Sequence, residues 1–193
     1  MDNRTLMNNK TYVASAIRTI LGYIEGTETL REDLVETPDR IVRAIAELFD
    51  GYTTDINALF KTFDGEGADE IIIIKDIPFT SCCEHHALQF GGVAHVAYLP
   101  NGKAIGASKI PRLVNAYAHR LQIQERITEQ IANALMEKLN PRGVAVILQA
   151  QHSCMICRGV KAAGSSMITS IMLGAFRESQ STRMELLTLI GLK

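Results

Sequence analysis

Two short windows hold nearly all the soft metal donors of this chain. One reads Ser81-Cys82-Cys83-Glu84-His85-His86; the other reads Gln151-His152-Ser153-Cys154-Met155-Ile156-Cys157-Arg158. Together they contain all four cysteines and three of the five histidines. Thiolates and imidazoles are the donors that zinc prefers. Clustered cysteines in a reducing compartment favour metal binding or catalysis over disulfides. The chemistry to expect is therefore that of a metal centre with acid–base side chains beside it.

Spacing sharpens that expectation. Ser81 and Glu84 have the spacing of a capping box, so the first window is read as turning into a helix. Residues three apart then share a face, which sets Cys83 and His86 side by side and turns His85 elsewhere. The second window continues an alternating stretch from Val144. In extended chain His152, Cys154 and Arg158 share one face and Cys157 takes the other.

Two arrangements compete. In an open site, Cys83, His86 and Cys154 hold the metal and leave one position to water, the catalytic pattern. In a closed site, Cys83, His86, Cys154 and Cys157 form a structural Cys3His centre. The local pattern favours the open site, because no Gly or Pro between Cys154 and Cys157 provides a tight knuckle turn. The zinc deaminase signature, His-x-Glu followed by Pro-Cys-x-x-Cys, does not match.

The elements that must position these windows are legible in outline. Tyr12, Val13, Ile17, Ile20, Leu21 and Ile24 recur at helical spacing between Lys10 and Gly26. Thr37-Pro38-Asp39 has the features of a helix start, followed by a stripe of Ile41, Val42, Ile45 and Leu48, with Gly51 as the stop. Gly65-Glu66-Gly67 reads as a loop. Ile71 to Ile74 and Phe90 to Leu99 read as strands, the second with a possible bulge at Gly91-Gly92, and Asn101-Gly102 is a hairpin signal. Helices are expected over about 109–120 and 124–139. A strand follows from Val144, another between Gly164 and Phe176, and Thr182 with Glu185 suggests a capped closing helix. This order predicts an α+β fold with a mostly antiparallel sheet and helices on one face.

Composition excludes several classes. A chain of 193 residues with 47% hydrophobic residues can build its own core, and a net charge of -1 leaves no basic footprint for nucleic acid or a membrane surface. The start Met1-Asp2-Asn3-Arg4 does not read as a secretory signal, and no run reaches bilayer-spanning length. A cytoplasmic location is expected.

Taken together, Cys83-Glu84-His85-His86, Ser108-Lys109, Gln124-Glu125-Arg126 and His152-Ser153-Cys154 with Arg158-Gly159 closely resemble the GTP cyclohydrolase I family. The match runs in order from Glu36-Thr37-Pro38-Asp39-Arg40 to Met172-Leu173-Gly174-Ala175-Phe176-Arg177 and into the last helix. The resemblance implies a helical N-terminal region, 1–64, and a tunnelling-fold (T-fold) core, 65–193, with an antiparallel four-stranded sheet and two helices on one face. It implies a homodecamer of two pentameric rings with active sites at subunit interfaces.

The reaction it implies is zinc-dependent conversion of GTP and water to formate and 7,8-dihydroneopterin triphosphate, which feeds folate or tetrahydrobiopterin synthesis. One Zn2+ per subunit would sit on Cys83, His86 and Cys154, supplying a nucleophile for C8 of guanine. The resemblance makes His152 the proton donor to the opening imidazole ring, His85 a second acid–base group, and Ser108 a further catalytic contact. Glu125 would anchor guanine through N1–H and the 2-amino group, with Gln124 adding a polar contact. Lys109, Arg112, Arg158 and Arg40 would clamp the triphosphate, Arg40 from a neighbouring subunit.

Some positions depart from the family pattern: Ala107, Gln89, Pro111 between Lys109 and Arg112, Cys157, and Cys82 beside the proposed ligand. None of these removes a proposed catalytic group. A related T-fold enzyme acting on another purine or pterin is the nearest alternative, and a non-catalytic protein with the closed site is the more distant one.

Overall fold

The structure is a computed structural model that describes residues 9–65 and 69–191. Glu66 and Gly67 of the expected loop, and the first residues of the chain, lie outside the described residues. Two compact units, 1–49 and 50–193, make up the chain.

The first unit is helical. Helix α1 (Lys10–Glu25) starts on Asn9, whose side chain accepts from Tyr12 N, and stops at Gly26, whose φ of 69° is the left-handed turn that glycine permits. Helix α2 (Thr37–Leu48) carries Pro38 in its first turn, as its sequence predicts. Its end falls before Gly51, which belongs to a short 3-10 turn at Asp50–Tyr52 in the second unit. Ile17, Leu30 and Pro38 are the buried residues of this unit, while Tyr12, Ile20, Tyr23 and Ile24 are exposed.

The second unit begins with a single helical turn, α3 (Ile56–Leu59), and strand β1 (Thr62–Asp64). Then come β2 (Ile72–Cys83), β3 (Gln89–Leu99), β4 (Lys103–Ile105), α4 (Lys109–Ala118), β5 (Leu121–Gln122), α5 (Gln124–Leu139) and β6 (Gly143–His152). A one-turn helix α6 (Ser153–Ile156), β7 (Met167–Gly174), a second short turn α7 (Ala175–Glu178) and α8 (Gln180–Ile190) complete it.

The main sheet has the order β5-β2-β3-β6-β7. Four long strands are antiparallel, and β5 adds a two-residue parallel edge beside Cys82 and Cys83. Asn101-Gly102 does turn the chain, but β4 leaves the main sheet and pairs with β1 instead of folding back on β3.

Alternation along the strands puts Ile77, Phe79, Ala94, Val96, Tyr98, Val144, Val146 and Leu148 on one face. There they meet Ile110, Leu113 and Val114 of α4, and Ile127, Ile131 and Leu135 of α5. The other face is covered only in part: Ala97, Leu99, Ala145 and Ile147 pack against Phe176, Leu186 and Ile190. Helices therefore occupy both faces, where one was expected, because the closing helix carries its own apolar residues back to the sheet. That helix is capped by Ser179, whose Oγ accepts from Thr182 N at 3.2 Å, and not by Thr182.

Gly92 allows β3 and β6 to approach. A Cβ there would lie 2.0 Å from Gln149 O, well inside any contact a real side chain tolerates.

Candidate metal centre and its surroundings

Strand β2 does not stop at the isoleucine run; it continues to Cys83 and delivers that thiol to the end of the sheet. The expected helix after Ser81 does not form. Instead residues 84–88 make a tight turn, with His86 N and Ala87 N both donating to Cys83 O, at 3.3 and 2.8 Å, and Cys83 N donating to Leu88 O at 2.8 Å. Ser81 is no cap. It is buried in the strand, and its Oγ has no partner. The turn still brings residues three apart together, so the consequence drawn from helical spacing survives although its premise does not.

The second window changes in the same way. Extended chain ends at His152, and Ser153–Ile156 coils into α6. Cys154 thus reaches the cluster through a helical turn and not through strand alternation. Cys157 closes that turn, exposed, with its Sγ donating to Ser153 O at 2.9 Å.

The outcome is a compact donor set. Ligand atoms of Cys83, His86 and Cys154 lie within 4.8 Å of one another, and among the described residues no other such group of His, Cys, Asp and Glu occurs. Cys157 is not part of it. Tetrahedral zinc with two thiolates and an imidazole requires S···S of about 3.8 Å and S···N of about 3.5 Å, from Zn–S near 2.3 Å and Zn–N near 2.0 Å. The Cys83 Sγ to His86 Nδ1 distance is 3.8 Å, so the donors fit such an ion with little movement. His85 Nδ1 also lies 3.8 Å from Cys83 Sγ, its ring edge-on to that of His86.

Electrostatics agree with a site designed for a cation. Burial, then the neighbouring Cys83, raise the Cys154 thiol pKa, while Arg158 works weakly the other way. Two thiols this close resist double ionisation unless positive charge sits between them. Cys82, on the adjoining strand position, is raised by burial and by Cys83 as well.

His152, the expected proton donor, ends β6 two residues before Cys154. His152 stacks on Phe90, its cross-strand neighbour, with ring centroids 4.4 Å apart and planes 7° from parallel. Burial lowers its pKa, and the charge of Glu125 opposes that shift. Glu125 is exposed in the first turn of α5. Its neighbour Gln124 is fully enclosed, and its amide is engaged within the protein.

The expected phosphate contacts are more scattered. Ser108 precedes α4 with no side-chain cap bond, and Lys109 and Arg112 occupy the first turn. Arg158 is exposed in the loop after α6. Among the described residues, no hydrogen bond or ion pair joins Ser108, Lys109, Arg112 or Arg158 side chains to the cluster. Arg40, in the first unit, pairs with Glu36 at 2.7 Å.

One member of the site had no role in the sequence reading. Arg126 grips Glu84 with both guanidinium nitrogens, at 2.5 and 3.1 Å, and so ties α5 to the turn between Cys83 and His86. This pairing lowers the Glu84 pKa. The two residues are 42 positions apart, and no local spacing rule relates them.

Sheet, turn and helix together define an α+β protein whose sheet end carries a Cys2His cluster able to hold a metal ion, with His152 two residues before Cys154. The GTP cyclohydrolase I family profile matches residues 13–191, and the chain belongs to that family. The GTP cyclohydrolase 1 of Caldanaerobacter subterraneus subsp. tengcongensis is 48% identical over 188 residues, covering 97% of this chain and all of that protein. The GTP cyclohydrolase 1 of Chlorobaculum tepidum is 50% identical over 167 residues, covering 86% of this chain and 75% of that one. Among solved structures, the archaeosine synthase QueF-Like in the apo form aligns at 17% identity and TM-score 0.43, over 54% of this chain and 93% of that one.

Proposed function

We infer that this chain hydrolyses and rearranges GTP to 7,8-dihydroneopterin triphosphate and formate, as a zinc enzyme of the cytoplasm. The observation that carries the reading is the Cys83, His86 and Cys154 cluster in a chain aligned along nearly its whole length with curated GTP cyclohydrolases. A zinc ion held by these three residues would supply Lewis acidity toward water in the open fourth position.

The residues around it take the remaining work. His152 exchanges the proton that ring opening at the imidazole of guanine demands, and His85 is the second group placed for proton transfer. The exposed carboxylate of Glu125 accepts from the N1–H and 2-amino edge of guanine, a charge-assisted pairing that an adenine edge cannot offer. Lys109, Arg112 and Arg158 provide cationic contacts for the triphosphate, and Ser108 adds a hydroxyl at the same helix start. Arg40 completes the clamp from a neighbouring subunit.

The reading extends to architecture. Residues 65–193 are the T-fold catalytic core and 1–64 the helical N-terminal region, in a homodecamer of two pentameric rings with active sites at subunit interfaces. The product serves folate or tetrahydrobiopterin synthesis.

Incubation of purified, zinc-loaded protein with GTP tests the function. Formate release, with a pterin that fluoresces after oxidation, is the expected result. Zinc-loaded protein that binds GTP but yields neither product overturns the reading.

A further inference from the structure

Gln124 is the least accessible polar side chain near the centre, with 0% of its surface exposed. Its Nε2 lies 3.1 Å from each of three acceptors: Leu148 O, Met167 O and Thr169 Oγ1. Two of these are backbone carbonyls, which only accept. An amide oxygen in that place would face two other oxygens with no proton between them, so chemistry fixes which way the amide points.

The hydroxyls beside it close the network. Thr128 donates to Gln124 O at 2.8 Å, so its single proton is committed. Thr169 Oγ1, 2.7 Å from Thr128 Oγ1, must therefore donate to it, leaving Thr169 lone pairs for the Gln124 amide. Both hydroxyl protons are thereby assigned, and the two protons of the Gln124 amide are shared among three acceptors, none of which can donate back to it.

The consequence falls on His152. Gln124 Oε1 lies 2.9 Å from His152 Nε2. An amide oxygen cannot donate, so Nε2 carries the proton and the neutral ring keeps its lone pair on Nδ1. The parallel stack on Phe90 holds the ring plane.

We propose that Gln124 is a positioning residue that holds His152 in the Nε2–H form, leaving Nδ1 as the nitrogen that exchanges the working proton. Gln124 thereby acts from behind the histidine and not as a contact to guanine. Glu125, one residue on and exposed, is left as the guanine contact of that pair. This rests on the role given to His152 above, and two separate readouts keep the two ideas apart.

The first readout needs no activity. Protein labelled with 15N-histidine, with His152→Asn supplying the assignment, should show the His152 signals of an Nε2-protonated neutral ring. An Nδ1-protonated ring, or rapid mixing of the two forms, overturns the proposal. The second uses steady-state kinetics. Gln124→Met should lower kcat on GTP by roughly 10²-fold, within the range that a positioned acid–base group contributes, with KM little changed. Thr169→Val, which removes one acceptor and the relay to Thr128, should give a smaller loss of the same kind.

A rise in KM with kcat retained in either variant overturns the proposal, because that is the signature of a direct guanine contact. Should Gln124→Met fail to fold, the wild-type spectrum and Thr169→Val decide. A wild-type protein inert toward GTP would sink the functional reading while leaving the tautomer measurement intact.

Discussion

At the residue scale, the two cysteines of α6 face different ways and predict different losses. Cys154 contributes its Sγ to the donor set, whereas Cys157 spends its thiol on Ser153 O. Cys157→Ala should therefore keep zinc content and activity near the parent values. Cys154→Ala should lose most of its metal, since two protein ligands rarely hold zinc against competing chelators. Metal analysis after gel filtration, set beside GTP turnover, separates the outcomes; zinc lost on Cys157→Ala would restore the closed Cys3His site.

His95 supplies a second residue-scale prediction, far from the metal. It is buried on β3, where its Nδ1 accepts from Asp76 N at 3.2 Å in the bulge that separates Ile74 from Ile77. Burial lowers its pKa, Lys75 adds to that, and Asp76 partly offsets it. A histidine depressed in the folded state binds its proton more readily when unfolded. Its contribution to stability is thus fully present above the unfolded value of about 6.5 and is lost as pH falls through the lower folded value. His95→Gln should flatten the fall in melting temperature between neutral and mildly acidic pH. Parallel curves for parent and variant would show that His95 titrates alike in the folded and unfolded states.

At the element scale, the turn after β2 is what places His86 against Cys83, and Arg126 holds that turn from α5. Arg126→Met keeps the apolar stem but removes the two-pronged grip on Glu84. Zinc affinity should drop roughly 10- to 100-fold, the range seen when supporting partners of metal ligands are removed. The melting temperature of the metal-free protein should change little, because the pair is part-exposed. Competition with a chromophoric chelator measures the first, and a thermal scan in chelator the second.

Legibility in the sequence follows the same scale. Long amphipathic elements declared themselves: Lys10–Glu25, Gln124–Leu139 and the alternation of β6 all follow from period 3.6 or 2. Short, tertiary-determined pieces did not. The window after Ser81 has a capping-box spacing, yet pairing with β3 and β5 keeps Ser81 to Cys83 extended. Alternation alone carries the strand on through Cys154, yet the strand ends at His152 and Cys154 sits inside a helical turn. The cysteine and histidine spacing nevertheless picks out donors that the structure brings together, because an i to i+3 approach arises from a tight turn as readily as from a helix. Polar residues on a buried helix face, Gln124 and Thr128, were a signal available in the pattern. Their partner Thr169 lies on another element, beyond the reach of any local rule.

At the scale of the whole molecule, the order of the main sheet leaves β7 with no neighbour on its outer side among the described residues. That strand is eight residues long and carries no proline or charged residue to blunt it, and Ile168 on its surface is 55% exposed. Free edges of this kind are normally paired, covered or charged. A ring of subunits joined edge to edge removes the problem for every copy at once. The chain is therefore expected to sediment as a closed homo-oligomer far above its 21.3 kDa monomer mass. Its mass should stay constant across a wide dilution range, since a ring has no growing end. Light scattering after gel filtration, repeated at several concentrations, checks this. A monomer at micromolar concentration would mean that β7 is shielded some other way, and mass that climbs with concentration would indicate open-ended association along that edge.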